Sequence, residues 1–430
     1  MILALLFAFI FAVAEIAVTS TFANLIGPGA ATVCLAAAAA AVLMGAAASM
    51  LDKQIKALVA FVAGAAFLIF EIQLFAIRTN AEVNPNVLFT YAPILGFAIF
   101  ANSRLNLRRF LFVLFLCSIA YSFLYLALFN TLSSPRLDPQ DASVKILVGD
   151  STRDARVFLA ASFPTFAFFY ALDRILRLKR FIFLPFLAIP IAALALAQSR
   201  LHLAVMGVVT VAYILGLTGA LPRRLLLGGF FILALVLMLS VPFPDFNPYR
   251  LFSGDGSAEA RARALMVFRF FISEYPIFGV GISPTRADET SLLRASYIYW
   301  DDLGVIGVWY CFGIVGLTIF CLHASLCILG VRRPRELTLS DHQALLLTAL
   351  VFGLLSISSP NIWLGSGSTI LSIMLGIWLR TEHGRRAGPE KPPASESARA
   401  PDGGHLAAKP DEKTIEDALE PAAALAPHRS

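Results

Sequence analysis

Residues 299–330 read "YWDDLGVIGVWYCFGIVGLTIFCLHASLCILG", and the nature of this stretch decides the fold. Between Leu303 and Gly330 there is no Asp, Glu, Lys or Arg, and a helix of roughly 20 apolar residues already crosses a bilayer. The stretch is therefore read as a membrane span. The two carboxylates in front of it, Asp301 and Asp302, then need a reason, because adjacent like charges repel and hydrate strongly where the chain is about to enter lipid.

Composition agrees with a membrane setting. Of 430 residues, 58% are hydrophobic and 14% charged, with a mean hydropathy of +0.77, which excludes a soluble globular domain. Working outward from 303–330, further apolar stretches of spanning length lie near 2–19, 29–51, 57–77, 85–101, 110–130, 157–173, 181–198, 203–221, 225–243, 342–359 and 362–379. The expectation is all-α: a polytopic bundle of about 12 transmembrane helices. The first stretch has no basic leader and no clear small-x-small site, so it reads as a retained span rather than a signal peptide. Cys34, Cys117, Cys311, Cys321 and Cys327 all fall in apolar runs without ligand spacing. They predict packed thiols, with no disulfide and no zinc.

Short cytoplasmic loops collect Lys and Arg. With both termini cytoplasmic, the inward loops carry Lys53 and Lys56; Arg104, Arg108 and Arg109; Arg174, Arg177, Lys179 and Arg180; Arg223 and Arg224; Arg332, Arg333 and Arg335; and Arg380, Arg385 and Arg386. The short outward loops carry only Arg78 and Arg200. This asymmetry supports a multi-pass chain with both termini cytoplasmic, and explains the net charge of +6 without a nucleic-acid partner. Two outward loops are long, 131–156 and 244–302, the second lying between spans 9 and 10 and exceeding what joining two helices requires. A transmembrane domain over 1–380 is expected to contain that large periplasmic loop. Residues 381–430, rich in Pro, Ala, Gly, Glu and Lys, are expected to be a disordered cytoplasmic tail.

Placing the ionisable groups by depth moves attention to the outward face. Arg200 ends the seventh span, Asp301 and Asp302 open the tenth, and Glu15 and Glu71 sit in the outer thirds of the first and third. Within the large loop, Glu259 suits a first turn and Pro276 ends the pattern, so a helix is predicted over about 258–275. On it Arg261, Leu265, Phe268 and Ile272 share a face, Arg269 falls on roughly the same side, and Arg263 points nearly opposite. Such a helix also suits an interfacial position, with its arginines on lipid phosphates.

At this point the sequence resembles a known family. It has Ser199-Arg200 at the outer end of a span, then Arg261 fifteen residues before the P-x-x-G-x-G of Pro276, Gly279 and Gly281. Asp302 then stands eleven residues before the G-I-x-G of Gly313 and Gly316. These features, confined to about residues 199–316, look like the bacterial O-antigen polymerase and O-antigen ligase superfamily of integral membrane glycosyltransferases. The resemblance implies metal-independent glycosyl transfer at the periplasmic face, without a cofactor. The donor would be a glycan on undecaprenyl diphosphate, and the product an O-antigen or exopolysaccharide. It also implies membrane lipids, a chain-length regulator and a flippase of the same pathway as partners. The two diphosphate-binding arginines of the family map to Arg200 and Arg261. Ligases of the family usually carry a histidine where this chain has Asp302, which favours the polymerase branch over ligation to lipid A core.

The residue chemistry is compatible with that transfer. Breaking a glycosyl phosphate bond develops charge on the leaving diphosphate, which guanidinium groups hold in bidentate fashion. The acceptor hydroxyl loses a proton to a base, for which Asp302 is the candidate. Asp301 beside it would favour protonation of whichever carboxylate is less solvated. Asp302, Arg200 and Arg261 are thus the candidate catalytic residues, with Arg269, Asp301, Arg156, Glu274 and Glu71 as candidates for holding the substrate. A plainer reading of the acidic pair is a boundary marker that suits a helix N-terminus. A lipid-linked sugar flippase or transporter, or a non-catalytic partner of a secretion complex, remains the alternative class.

Overall fold

A computed structural model describes residues 2–19, 28–52, 54–80, 82–83, 87–102, 104–132, 146–147, 156–157, 159–197, 199–243, 245–249, 256–282, 300–363 and 367–386. Residues up to Arg386 belong to one compact unit. The expected tail lies outside the described residues beyond Arg386, because the last helix runs past residue 380 to that point.

In chain order the helices are α1 (Ile2–Thr19), α2 (Pro28–Leu51), α3 (Ile55–Thr79), α4 (Val87–Leu95), α5 (Phe97–Ala101), α6 (Leu107–Leu132) and α7 (Ser162–Leu178). There follow α8 (Pro185–Leu196), α9 (Arg200–Ile214), α10 (Ala220–Leu239), α11 (Gly256–Glu274), α12 (Val305–Leu329), α13 (Leu339–Leu355) and α14 (Ser368–Arg386). Short 3-10 turns cover Phe181–Phe183 and Trp300–Leu303. Apart from these, the described residues hold one antiparallel pairing of β1 (Ile146–Leu147) with β2 (Arg156–Val157). The protein is all-helical in architecture.

Helices occupy each of the twelve apolar stretches named above. Among the described residues, five are long and apolar enough to cross a membrane by length and composition: Thr32–Leu51, Ile55–Thr79, Leu107–Thr131, Ala220–Leu239 and Val305–Leu329. Shorter apolar helices cover Tyr91–Ala101, Phe181–Leu196, Arg200–Ile214, Leu339–Leu355 and Ser368–Thr381. This is the make-up of a helical membrane protein. Between α4 and α5 the ladder tightens, the Gly96 amide donating to the Pro93 carbonyl at 3.1 Å and the Ile99 amide to that of Gly96 at 2.9 Å. Ser372 of α14 donates to the carbonyls of Pro93 and Ile94 at the end of α4.

The basic loops converge on one end of the bundle. Arg104 pairs with Asp52 (3.1 Å), Arg174 with Asp341 (2.5 Å), Arg177 with Asp173 (3.4 Å) and Arg380 with Glu336 (2.9 Å). Asp302, Arg200 and Arg261 lie at the other end. There His202 of α9 packs its ring on Phe352 near the end of α13, and Gly304 sits against the Ile357 carbonyl just beyond α13.

Helix α11 differs from the expected loop helix. It lies along the first part of α12, burying Ala264, Leu265, Phe268 and Ile272, with Phe268 stacked on Tyr310 at 4.1 Å. The segment after it, residues 276–282, enters a break in α12. Gly313 has φ 61° and ψ −166°, so the helical ladder is interrupted at that point. In an unbroken helix the amides of Ile314 and Val315 would donate to the carbonyls of Tyr310 and Cys311. Instead, the Val280 and Gly281 amides donate to Tyr310 and Cys311 (2.8 Å each), and the Ile314 and Val315 amides donate to Pro276 and Ile277 (3.0 and 3.2 Å). Both halves of two missing helix bonds are replaced by this hook. Its glycines are dictated by space, because a Cβ on Gly281 would overlap the backbone of Glu71 and Phe75, and one on Gly313 the Ile277 carbonyl. Both have positive φ, which L side chains rarely adopt. The P-x-x-G-x-G motif is thus a packing device.

Candidate functional site

The candidate site is built on the turn before α12. Trp300–Leu303 forms a 3-10 turn that ends at Gly304, whose φ of 56° reverses the chain into the helix. Asp302 is exposed and Asp301 half-buried on this turn. Trp300 is buried beneath them, its ring edge-on to Phe312 at 5.7 Å. The carboxylates are therefore presented at the rim by an aromatic anchor.

Arg261 reaches this rim. Its Nε donates to the Asp302 carbonyl at 3.0 Å, which holds the guanidinium of this half-buried residue against the backbone of the acidic turn while using one of its five donors in that bond. Tyr249 lies nearby in the linker before α11, and burial pushes its phenol up to about 12 while the Arg261 charge pulls the other way. The linker is tied to α11 by Asn247, whose Nδ2 donates to the Ala262 carbonyl at 3.3 Å and whose Oδ1 accepts from the Tyr249 amide at 3.2 Å. Neither Tyr249 nor Asn247 was marked by the sequence. A short polar residue beside a Pro-Tyr pair in a loop carries no signal until its partner on α11 is known.

The other candidates are dispersed. Arg200 is the first residue of α9 and exposed. It shares the Asp302 end of the bundle but has no hydrogen-bond or ion-pair partner among the described residues. Arg269 is half-buried, and its Nε donates to the Ser240 carbonyl at 2.8 Å while Nη2 donates to those of Phe243 and Phe246 at 3.3 and 2.9 Å. That geometry makes it a clamp on the end of α10, a role that its position on the Arg261 side of the helix does not reveal. Glu274 is exposed at the end of α11, near Arg78, whose guanidinium lies 4.1 Å over the Tyr275 ring. Glu71 is fully buried on α3, and neither carboxylate oxygen has a hydrogen-bond partner among the described residues. Its carbonyl accepts from the Ile282 amide at 3.1 Å, so it belongs to the hook rather than to the Asp302 rim. The backbone of Arg156 lies in β2, and its side chain is outside the described residues. Arg263 is exposed, on the face opposite the α12 contact.

A second polar cluster lies at the far end. Asp341, fully buried in the first turn of α13, takes Arg174 at 2.5 Å and also accepts from the Thr338 hydroxyl at 2.6 Å. Arg174 in turn covers the Tyr170 ring, 3.2 Å from its centroid. Asp173 accepts from the hydroxyls of Tyr213 and Ser340 and pairs with Arg177. Arg174 and Arg177 read from the sequence as loop cations, yet Arg174 is 8% exposed. Burial pushes the Glu336 carboxyl above its ordinary range against the attraction of Arg380.

One open apolar cleft of about 540 Å³ runs beside α10, lined by Leu217, Pro222, Leu225, Gly229, Leu354 and Ile357 among others. Only its Ile357 end adjoins the Asp302 rim, through Gly304. No metal-holding group of His, Cys, Asp and Glu occurs among the described residues. Comparison of the chain with protein-family models, curated proteins and solved structures finds no match.

Proposed function

We propose that the protein is a membrane glycosyltransferase that polymerises undecaprenyl-diphosphate-linked oligosaccharide repeats into a surface polysaccharide at the periplasmic face of the inner membrane. The observation that supports this reading is the bond from Arg261 to the Asp302 carbonyl, which holds a candidate diphosphate-binding residue against the backbone of a candidate base at one end of the bundle. On this reading the chain crosses the membrane twelve times with cytoplasmic termini, so that this end faces the periplasm and the ion-paired basic loops the cytoplasm. Arg261 and Arg200 hold the leaving diphosphate, Asp302 takes the proton of the acceptor hydroxyl, and Asp301 positions sugar hydroxyls. The apolar cleft ending at Ile357 gives the isoprenoid chain a path to the rim. A chain-length regulator and a flippase of the same pathway are the expected partners.

The break in α12 favours a second reading. Discontinuous helices near mid-membrane are a hallmark of transporters, where unwound carbonyls coordinate a cargo. Here the Tyr310 and Cys311 carbonyls and the Ile314 and Val315 amides are all taken by the hook, which removes the groups that a cargo would use. The glycan profile of a deletion strain separates the classes. Single repeats without polymer are expected for a polymerase. Polymer left on its carrier would instead mean a ligase, and lipid-linked repeats trapped in the cytoplasm a flippase.

A further inference from the structure

The hook has a depth, and two independent helices measure it. From Val305 to Gly313 is eight residues of α12, about 12 Å at 1.5 Å per residue. From Thr79 back to Glu71, whose carbonyl binds Ile282 of the hook, is eight residues of α3, again about 12 Å. Both rulers start from the Asp302 end of helices that are long and apolar enough to span a bilayer. They place the hook a substantial part of the way into a hydrocarbon core roughly 30 Å thick.

The side of α11 turned away from α12 carries large apolar residues where it descends, together with exposed Ser273, whose hydroxyl donates to the Phe270 carbonyl at 2.7 Å, and exposed Glu274 beside Arg78. Phe270 is 64% exposed, Ile277 56%, Met266 50% and Phe278 38%, whereas Glu259 and Arg263 are exposed nearer the rim. Water is a poor neighbour for such a row, and non-helical backbone at membrane depth survives only where protein satisfies its polar groups. The hook meets that condition through its bonds to α12 and α3.

We infer that α11 and the hook form a re-entrant membrane segment, whose Met266–Phe270–Ile277–Phe278 face contacts the acyl chains of the leaflet on the Asp302 side. The inference needs only that the chain spans a bilayer, and stands whether or not the glycosyl-transfer reading does. It sets Arg261 at the upper end of a lipid-bathed helix, so that a ligand with a lipid tail approaches the rim from within the leaflet.

The test places single cysteines at Arg263, Phe270 and Ile277, each read against the background of the native thiols. Opened membrane vesicles are treated with a charged, membrane-impermeant maleimide, so that both faces are reached and orientation does not matter. R263C is expected to react at least tenfold faster than F270C and I277C, which should label fully only after SDS. A lipophilic fluorophore on F270C should be quenched in vesicles of lipid brominated on its acyl chains, and one on R263C should not. Labelling of F270C and I277C at the R263C rate before detergent, or absence of quenching at F270C, would overturn the inference.

Discussion

The two ends of the bundle handle charge in opposite ways. At the basic-loop end, arginines are folded against carboxylates: Asp341 is 2% exposed and Arg174 8%, and Arg104–Asp52, Arg177–Asp173 and Arg380–Glu336 pair there as well. At the other end Asp302 and Arg200 are exposed, and Arg261 spends its bond on a carbonyl rather than a carboxylate. A buried pair contributes to structure by keeping each charge from being left uncompensated. Exposed charges at the rim, by contrast, contribute little to folding, and a ligand arriving from solvent can reach them. Equal residue types therefore mark a scaffold at one end and a candidate site at the other.

The largest effect that can break this comparison is on activity alone. Asp302→Asn keeps size and hydrogen bonding but removes the basic lone pair, so polymer synthesis by purified protein should fall by at least about 100-fold. Its thermal midpoint should stay near wild type. Asp302→His should recover part of the rate, rising with pH as the imidazole loses its proton around pH 6.5. Wild-type turnover by the Asn variant would make the pair a boundary marker.

At the opposite end the effect should fall on stability. Asp341→Ala leaves the Arg174 guanidinium buried without its partner, at a cost of about 3–5 kcal/mol, which a thermal melt in detergent would show as a large drop. The fraction that remains folded should still turn over normally. Loss of turnover without loss of stability would mean that the far cluster also takes part in the reaction.

How much of this was legible depends on the range of the interactions. The apolar stretches coincide with helices because a run like Leu303–Gly330 has no other low-energy home than lipid or a core. The inner face of α11 was legible too, since Leu265, Phe268 and Ile272 repeat at the helical period and are buried as a set. The hook was not. Pro276, Gly279 and Gly281 read locally as a turn, and only the positive φ of Gly313, some thirty residues on, turns them into a plug for a broken helix. A glycine inside a span was the available signal. Periodicity reports only the face of α11 on which Arg269 lies, and its bonds to the carbonyls of Ser240, Phe243 and Phe246 need the end of α10 in view. Arg174 and Asp341 are 167 residues apart, beyond the reach of any local pattern.

The smallest expected effect is the sharpest control on the rim. Arg261 and Arg263 are two residues apart and equally charged, but only Arg261 faces α12 and bonds the Asp302 carbonyl. Arg261→Lys keeps the charge and loses the planar fork with its Nε donor. A charged hydrogen bond is worth about 1.5–3 kcal/mol, so turnover should fall roughly 10- to 100-fold. Arg263→Ala removes an exposed side chain and should change stability by less than about 0.5 kcal/mol, with turnover within roughly twofold of wild type. If instead the arginines of α11 act only by holding lipid phosphates, charge rather than geometry matters. Arg261→Lys would then be harmless, and Arg263→Ala would cost as much as Arg261→Ala. Turnover of these three variants, measured in the same lipid, therefore decides between a rim built for a ligand and a helix that merely rests on the membrane surface.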